Sequence, residues 1–181
     1  TGEYSLATSR VQMSSGLFGG EVVNQHSLGG KSDFALSLEQ LRREVPGVES
    51  VSLVVSWFGD DLRAGHCNIG RRVEASARTV QGASWSVAGL SRGAAPVVSQ
   101  HAGGPAYGGT PSDAAVLAAI ADLKARGLGV TLYPILLMDI PADNPMGQPA
   151  YPWRGRITGT AADVAVWLMG GARWQQQGPR W

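Results

Sequence analysis

The chain has one cysteine, Cys67. A single thiol excludes an internal disulfide and any zinc cluster built on cysteines, and Cys67 itself reads as a small, half-buried thiol. Charge is also scarce. Asp, Glu, Lys and Arg make up 16% of the 181 residues, and the formal net charge is +1. That balance offers no electrostatic ground for a nucleic-acid or anionic-membrane partner. No apolar run is long enough for a membrane span, and no signal peptide is visible. Three catalytic signatures are missing: G-x-S-x-G, H-E-x-x-H and C-x-x-C. Serine hydrolase, zinc protease and redox readings lose their main support with them. No repeat with a period of about 20–50 residues occurs. The first residue is Thr1 rather than Met, which suggests an excised segment or a processed start.

What is present is mostly glycine, proline and apolar residues. With 25 Gly and 10 Pro, a loop-rich, weakly charged surface is expected. Most of the six Trp are expected in a core. The length fits one domain with a sizeable core.

Residues 1–31 read as a lead-in segment with short β-like pieces at Tyr4–Thr8 and Glu21–Asn24. Ser32 is a fitting N-cap for a helix over Asp33–Val45, with Phe34, Leu38 and Leu41 at helical spacing. Pro46-Gly47 ends it. The β-branched run Glu49–Trp57 then predicts a buried strand. Val80–Leu90 is a short strand or hairpin, and Val97–Ser99 is another brief β candidate. Thr110 can cap a second helix, with Pro111 at N1 and Asp113 in the first turn. Val116, Leu117, Ile120 and Leu123 form its apolar stripe, and Gly127 stops it. Leu128–Met138 predicts a second buried strand. This order of helices and strands predicts an α/β fold with a parallel sheet and helical crossovers. Ala161–Met169 is helix-compatible, and Gly170–Trp181 reads as a frayed tail.

The candidate chemistry sits where sites collect in parallel α/β folds, at C-terminal strand ends. Asp60 and Asp61 follow the first strand. Adjacent carboxylates can bind a cation, hold sugar hydroxyls or act as an acid–base pair. Alternatively, one caps the loop and the other is solvated. His66 could join them. Asp139 ends the second strand, either as a site residue or as an anchor for the next loop. Tyr107-Gly108-Gly109-Thr110 precedes a helix and could cradle an anion. It lacks the lysine of a P-loop and the spacing of a dinucleotide fingerprint, so no cofactor is expected, and no metal. Gln148–Thr158 interleaves Tyr151, Trp153 and Arg154, a composition suited to stacking on a sugar ring or to packing.

Five blocks together resemble a known family: LVVSWFGDDLR (Leu53–Arg63), GHCNI (Gly65–Ile69), PAYGGTPSD (Pro105–Asp113), LKARGLGVTLYPILLMDIP (Leu123–Pro141) and QPAYPWRGRIT (Gln148–Thr158). They are similar, in order and spacing, to the TIM-barrel-like domain of the large tail-tip protein of gene transfer agents and related tailed phages. That protein is also called a host specificity or baseplate protein. The resemblance spans roughly Gly2 to Thr158. It implies a partial (β/α) TIM-barrel-like fold over residues 32–158, related to glycoside hydrolases. It also implies a divergent tail over 159–181. Such a barrel typically needs about 250 residues, so about the first half is expected here. The implied place is the distal tail of a phage-like particle, assembled in the bacterial cytoplasm and released by lysis. Other tail or baseplate proteins and envelope glycan are the implied partners. The matching strand-end residues Trp57, Asp60, Asp61, Tyr107, Asp113, Tyr133, Asp139, Trp153 and Arg154 become cleft candidates. Asp60, Asp61 and Asp139 are the catalytic candidates; the others are ligand-binding candidates. Two functions follow: a structural part of the tail tip that contacts glycan, or a glycoside hydrolase using paired carboxylates. A third reading is a degenerate fragment without activity.

Overall fold

The computed structural model describes residues 2–14, 20–81 and 84–149. Among these residues two α-helices form where local signals are strongest. Helix α1 (Asp33–Glu44) starts at Ser32, whose hydroxyl accepts from the Ala35 N–H at 3.3 Å. Asp33 in the first turn and Arg42 and Arg43 in the last suit the helix dipole. Leu38 is buried, with Phe34 and Leu41 half-buried beside it. Helix α2 (Asp113–Ala125) is capped by Ser112 rather than Thr110: the Ser112 hydroxyl accepts from the Ala115 N–H at 3.2 Å. Pro111 therefore lies before the helix. Its buried face runs through Ala119 and Leu123, while Leu117 is exposed. At the other end Gly127 adopts φ +77°. The Gly127 N–H donates to Lys124 O, and the Leu128 N–H to Leu123 O. Together these bonds form a Schellman motif, closed by the buried Leu123 and Leu128.

The strands of the described residues fall into four small sheets. Strands β1 (Gln12–Ser14), β2 (Gly20–Val22) and β5 (Val80–Gln81) pair antiparallel in the order β2-β1-β5. The lead-in segment is thus part of a sheet, while the expected strand at Tyr4–Thr8 is turns. Strands β6 (Ser86–Val87) and β7 (Leu90–Ser91) form one hairpin, β8 (Gln100–His101) and β9 (Gly104–Pro105) another. Both turn through an Ala-Gly pair with positive φ, at Ala88-Gly89 and Ala102-Gly103. Two-residue turns of this hand match the twist of antiparallel strands.

The long strands β3 (Ser50–Gly59) and β10 (Gly129–Met138) share a sheet with β4 (Ile69–Gly70), in the order β10-β3-β4. The Gly129 N–H donates to Glu49 O, and the Asp139 N–H donates to Gly59 O. The equal spacing on both strands means they run the same way without a bulge. Odd-numbered residues of β10 therefore bond toward β3, and even-numbered ones face the side that is open among the described residues. Pro134 sits on that open side, where its missing N–H costs no ladder bond.

This architecture corrects the expected α/β fold. A partial TIM-barrel-like fold requires a run of parallel strands joined by helices, whereas the described residues hold two α-helices among small, mostly antiparallel sheets. The physical reason lies between β3 and α2. That segment carries two tight Ala-Gly turns and no helical periodicity, so it folds back on itself as hairpins. The expected burial of the second strand also fails. Among the described strands β10 lies at the edge of its sheet, and Leu132 and Tyr133 are 52% and 56% exposed. An apolar run alone cannot say whether a strand has neighbours on both sides.

The chain divides into two compact units. The first comprises the described residues up to Ser56, with Arg71–Val98 and Tyr107–Ile135. One of its core clusters joins Tyr4, Ala7 and Val11 to Val23 and Val80. The second comprises Trp57–Gly70, Ser99–Ala106 and the described residues from Leu136 on. Its core joins Leu62, Met138 and Ile140 to Cys67. Gly59 permits that packing, because a Cβ there would meet Cys67 Sγ at 2.7 Å and Met138 Cε at 2.9 Å. No helix among the described residues is long and apolar enough to cross a membrane.

Candidate functional site

The end of β3 carries Asp60 and Asp61 into the second unit, and the end of β10 carries Asp139 there. Each carboxylate is engaged by neighbouring donors. Asp60 closes its own loop: Oδ1 accepts from the Asn68 N–H at 2.8 Å and Oδ2 from Asn68 Nδ2 at 3.0 Å. Asp61 is gripped by Arg63, which donates its backbone N–H at 2.8 Å, Nε at 3.0 Å and Nη2 at 2.6 Å. Gln148 Nε2 donates to the same carboxylate at 2.9 Å, while Gln148 Oε1 accepts from the Leu62 N–H at 2.9 Å. The Arg63 hydrogen bonds hold the Asp61 carboxyl well below the usual carboxylate range, with help from Gln148 and from the guanidinium charge. Asp139 is buried and accepts from the Ser99 N–H at 3.1 and 3.2 Å, tying the strand end to the segment before β8.

The other candidates are dispersed. Trp57, in the second unit, is half-buried. His66 is exposed, and the donors on Asp60 and Asp61 are Asn68, Arg63 and Gln148 rather than its ring. Tyr107, Asp113 and Tyr133 belong to the first unit. Tyr107 is buried, so its ring offers no open stacking face. Asp113 accepts from the Ala88 N–H at 2.7 Å and so braces the β6–β7 turn. Tyr133 stands exposed on edge strand β10. Tyr151, Trp153 and Arg154 lie outside the described residues.

The Gly108-Gly109 loop does approach an anion, but it belongs to the chain itself. A Cβ at Gly109 would meet Glu3 Cγ at 2.6 Å, Glu3 Oε1 at 2.8 Å and Arg72 O at 2.9 Å. Glu3 fills the space that an external ligand would need. Thr110 is likewise committed: its N–H donates to Arg72 O, its hydroxyl accepts from the Arg72 N–H, and its carbonyl accepts from Trp85 Nε1.

Sequence reasoning missed the polar network around Glu3. Its carboxylate accepts from Arg92 Nη2 and from the Glu74 N–H. Arg92 also donates to the Tyr4 hydroxyl at 2.8 Å and to Ala75 O at 3.1 Å. Its guanidinium lies 5.7 Å from the Trp85 ring centre and 6.0 Å from that of Tyr4, within cation–π range. Arg78 pairs with Glu74 at 2.8 Å. Burial, and then the neighbouring Glu3 charge, push the Tyr4 hydroxyl pKa up. No local pattern announces this network, because its partners lie far apart along the chain.

Every ionic group in these clusters has a counter-charge or backbone donors beside it. Such paired and hydrogen-bonded groups suit rigid scaffolding. No protein-family model matches the chain, and no curated protein matches it.

Proposed function

We propose that this chain is a structural, non-catalytic part of the tail tip or baseplate of a phage-like particle of the gene-transfer-agent kind. Its partners are other tail proteins, and it faces envelope glycan. The support for the setting is the set of five sequence blocks from Leu53 to Thr158. One observation carries the non-catalytic part: Asp61, the best-placed acid of the candidate pair, is held ionised by Arg63 and Gln148. Glycoside hydrolysis requires one carboxyl to remain protonated and to face a second across a sugar. Asp60, with both oxygens bonded to Asn68, is a poor donor for that purpose.

Immunogold labelling of released particles with antibodies to this chain tests the setting. Label at the distal tail is expected, and label absent from particles would refute it. Incubating the chain with purified envelope polysaccharide tests the chemistry. No reducing ends should appear above background. Release that is lost in Asp61→Asn would overturn the non-catalytic reading.

A further inference from the structure

A cavity of about 450 Å³ opens in the first unit, among the Gly2–Ser5 loop, the residues after β2, α1 and the Glu74–Arg78 stretch. Its volume lies within the range of about 300–1,000 Å³ usual for small-molecule sites. Its wall is more apolar than polar, and the charged groups on it are paired. Glu3 is paired with Arg92, Glu74 with Arg78, and Asp33 with His26. With Glu3 and Glu74 met by guanidinium groups and Asp33 hydrogen-bonded to His26, a free ion has little reason to enter.

The same pairings hold the wall side chains in place. Asn24 Oδ1 accepts from the Val11 N–H, and its Nδ2 donates to Ser9 O, both at 2.8 Å. His26 contacts Asp33 Oδ2 through Nδ1 at 2.6 Å, while its backbone N–H donates to Oδ1 at 2.9 Å. The His26 side chain is otherwise 79% exposed, so its ring stands at the rim of the cavity in reach of a ligand. Carboxylate oxygens carry further lone pairs beyond the bonds they already accept. The half-buried Phe34 adds apolar ring surface to the lining, while Tyr4 is buried beneath it. Fixed donors and acceptors beside aromatic carbon suit a ligand with many hydroxyls and C–H faces, and pre-ordering lowers the entropy lost on binding.

We infer that this cavity is a binding site for a neutral saccharide of about one or two sugar rings. The site is argued from the cavity itself; only its biological setting rests on the envelope-glycan reading above. The test is NMR titration of the labelled 181-residue chain with chitotriose and cellotriose, and separately with sulfate. One of the two sugars should shift Asn24, His26, Phe34 and Ser37 resonances saturably, and sulfate should not. Ser37→Trp, at an exposed position of α1 lining the cavity, should fill it and weaken binding about tenfold or more. His26→Ala should also weaken it, with the thermal transition unchanged. Failure of both sugars to bind, shifts centred elsewhere, tighter binding of sulfate, or wild-type affinity in Ser37→Trp would each overturn the site. Sugar bound in the cavity by a chain absent from particle tails would overturn the tail-tip reading alone.

Discussion

Arg92→Met removes the centre of the Glu3 network while keeping much of the side-chain volume. The Glu3 side chain is 0% exposed and that of Arg92 10%, so solvent cannot replace the lost partner. The Glu3 carboxylate would keep the Glu74 N–H, with Arg78 4.0 Å away. Breaking a buried ion pair from one side costs about 3–5 kcal/mol. The lost contacts to the Tyr4 and Trp85 rings add about 0.5–1 kcal/mol each. Against a total stability of about 5–15 kcal/mol for a typical domain, the first unit should come close to unfolding. Urea denaturation followed by Trp fluorescence reads this through Trp85, which is buried beside Arg92. The control is Arg126→Ala. Arg126 pairs with Asp122 on α2, where the two side chains are 24% and 30% exposed. That pair should be worth about 0.3–0.5 kcal/mol. A loss under about 1 kcal/mol for Arg92→Met, equal to the surface pair, would refute the reasoning.

Other expectations follow from the same geometry. The Asp61 carboxyl should titrate well below the ordinary value of about 3.9, and Arg63→Ala should move it back up. Because the folded value is depressed, the stability from this pair is full above the unfolded value and is lost as pH falls through the folded one. Carbon-detected NMR of the Asp61 carboxyl checks both points, and an ordinary titration in the parent chain would contradict them. Gly109→Ala should cost about 1–3 kcal/mol, since its Cβ meets a backbone oxygen and a buried carboxylate. Gly59→Ala should cost less, because the thioether end of Met138 can shift; the reverse order in thermal melts would count against this packing. Pro134→Ala restores an N–H on the open edge of β10, so light scattering should show faster self-association with little change in melting temperature. Equal association rates would show that the proline does not guard that edge.

Both helices were legible in the sequence, and the reason is local. Ser32 and Gly127 act through bonds within one turn of the chain, so their chemistry is visible in a short window. The Ser112 cap could have been found by the same rule; Thr110 was the more conspicuous residue two places earlier, but its groups are taken by Arg72 and Trp85. Strand β3 was legible from its β-branched run. The site was less so. Asp60, Asp61 and Asp139 do stand at strand ends, yet Arg63, Asn68, Gln148 and Ser99 decide what those carboxylates can do. Gln148 reaches Asp61 across 87 residues of chain, and no spacing rule encodes that contact.

Composition and local pattern alone determined the weak charge, the exclusion of a disulfide, the two helices and the existence of the long strands. Tertiary structure decided the rest: the antiparallel hairpins in place of barrel crossovers, the exposure of β10, and the burial of Glu3 against Arg92, 89 residues away. Helices and turns arise from bonds between near neighbours, whereas sheet order, edge exposure and the pairing of buried charges depend on which distant segments meet.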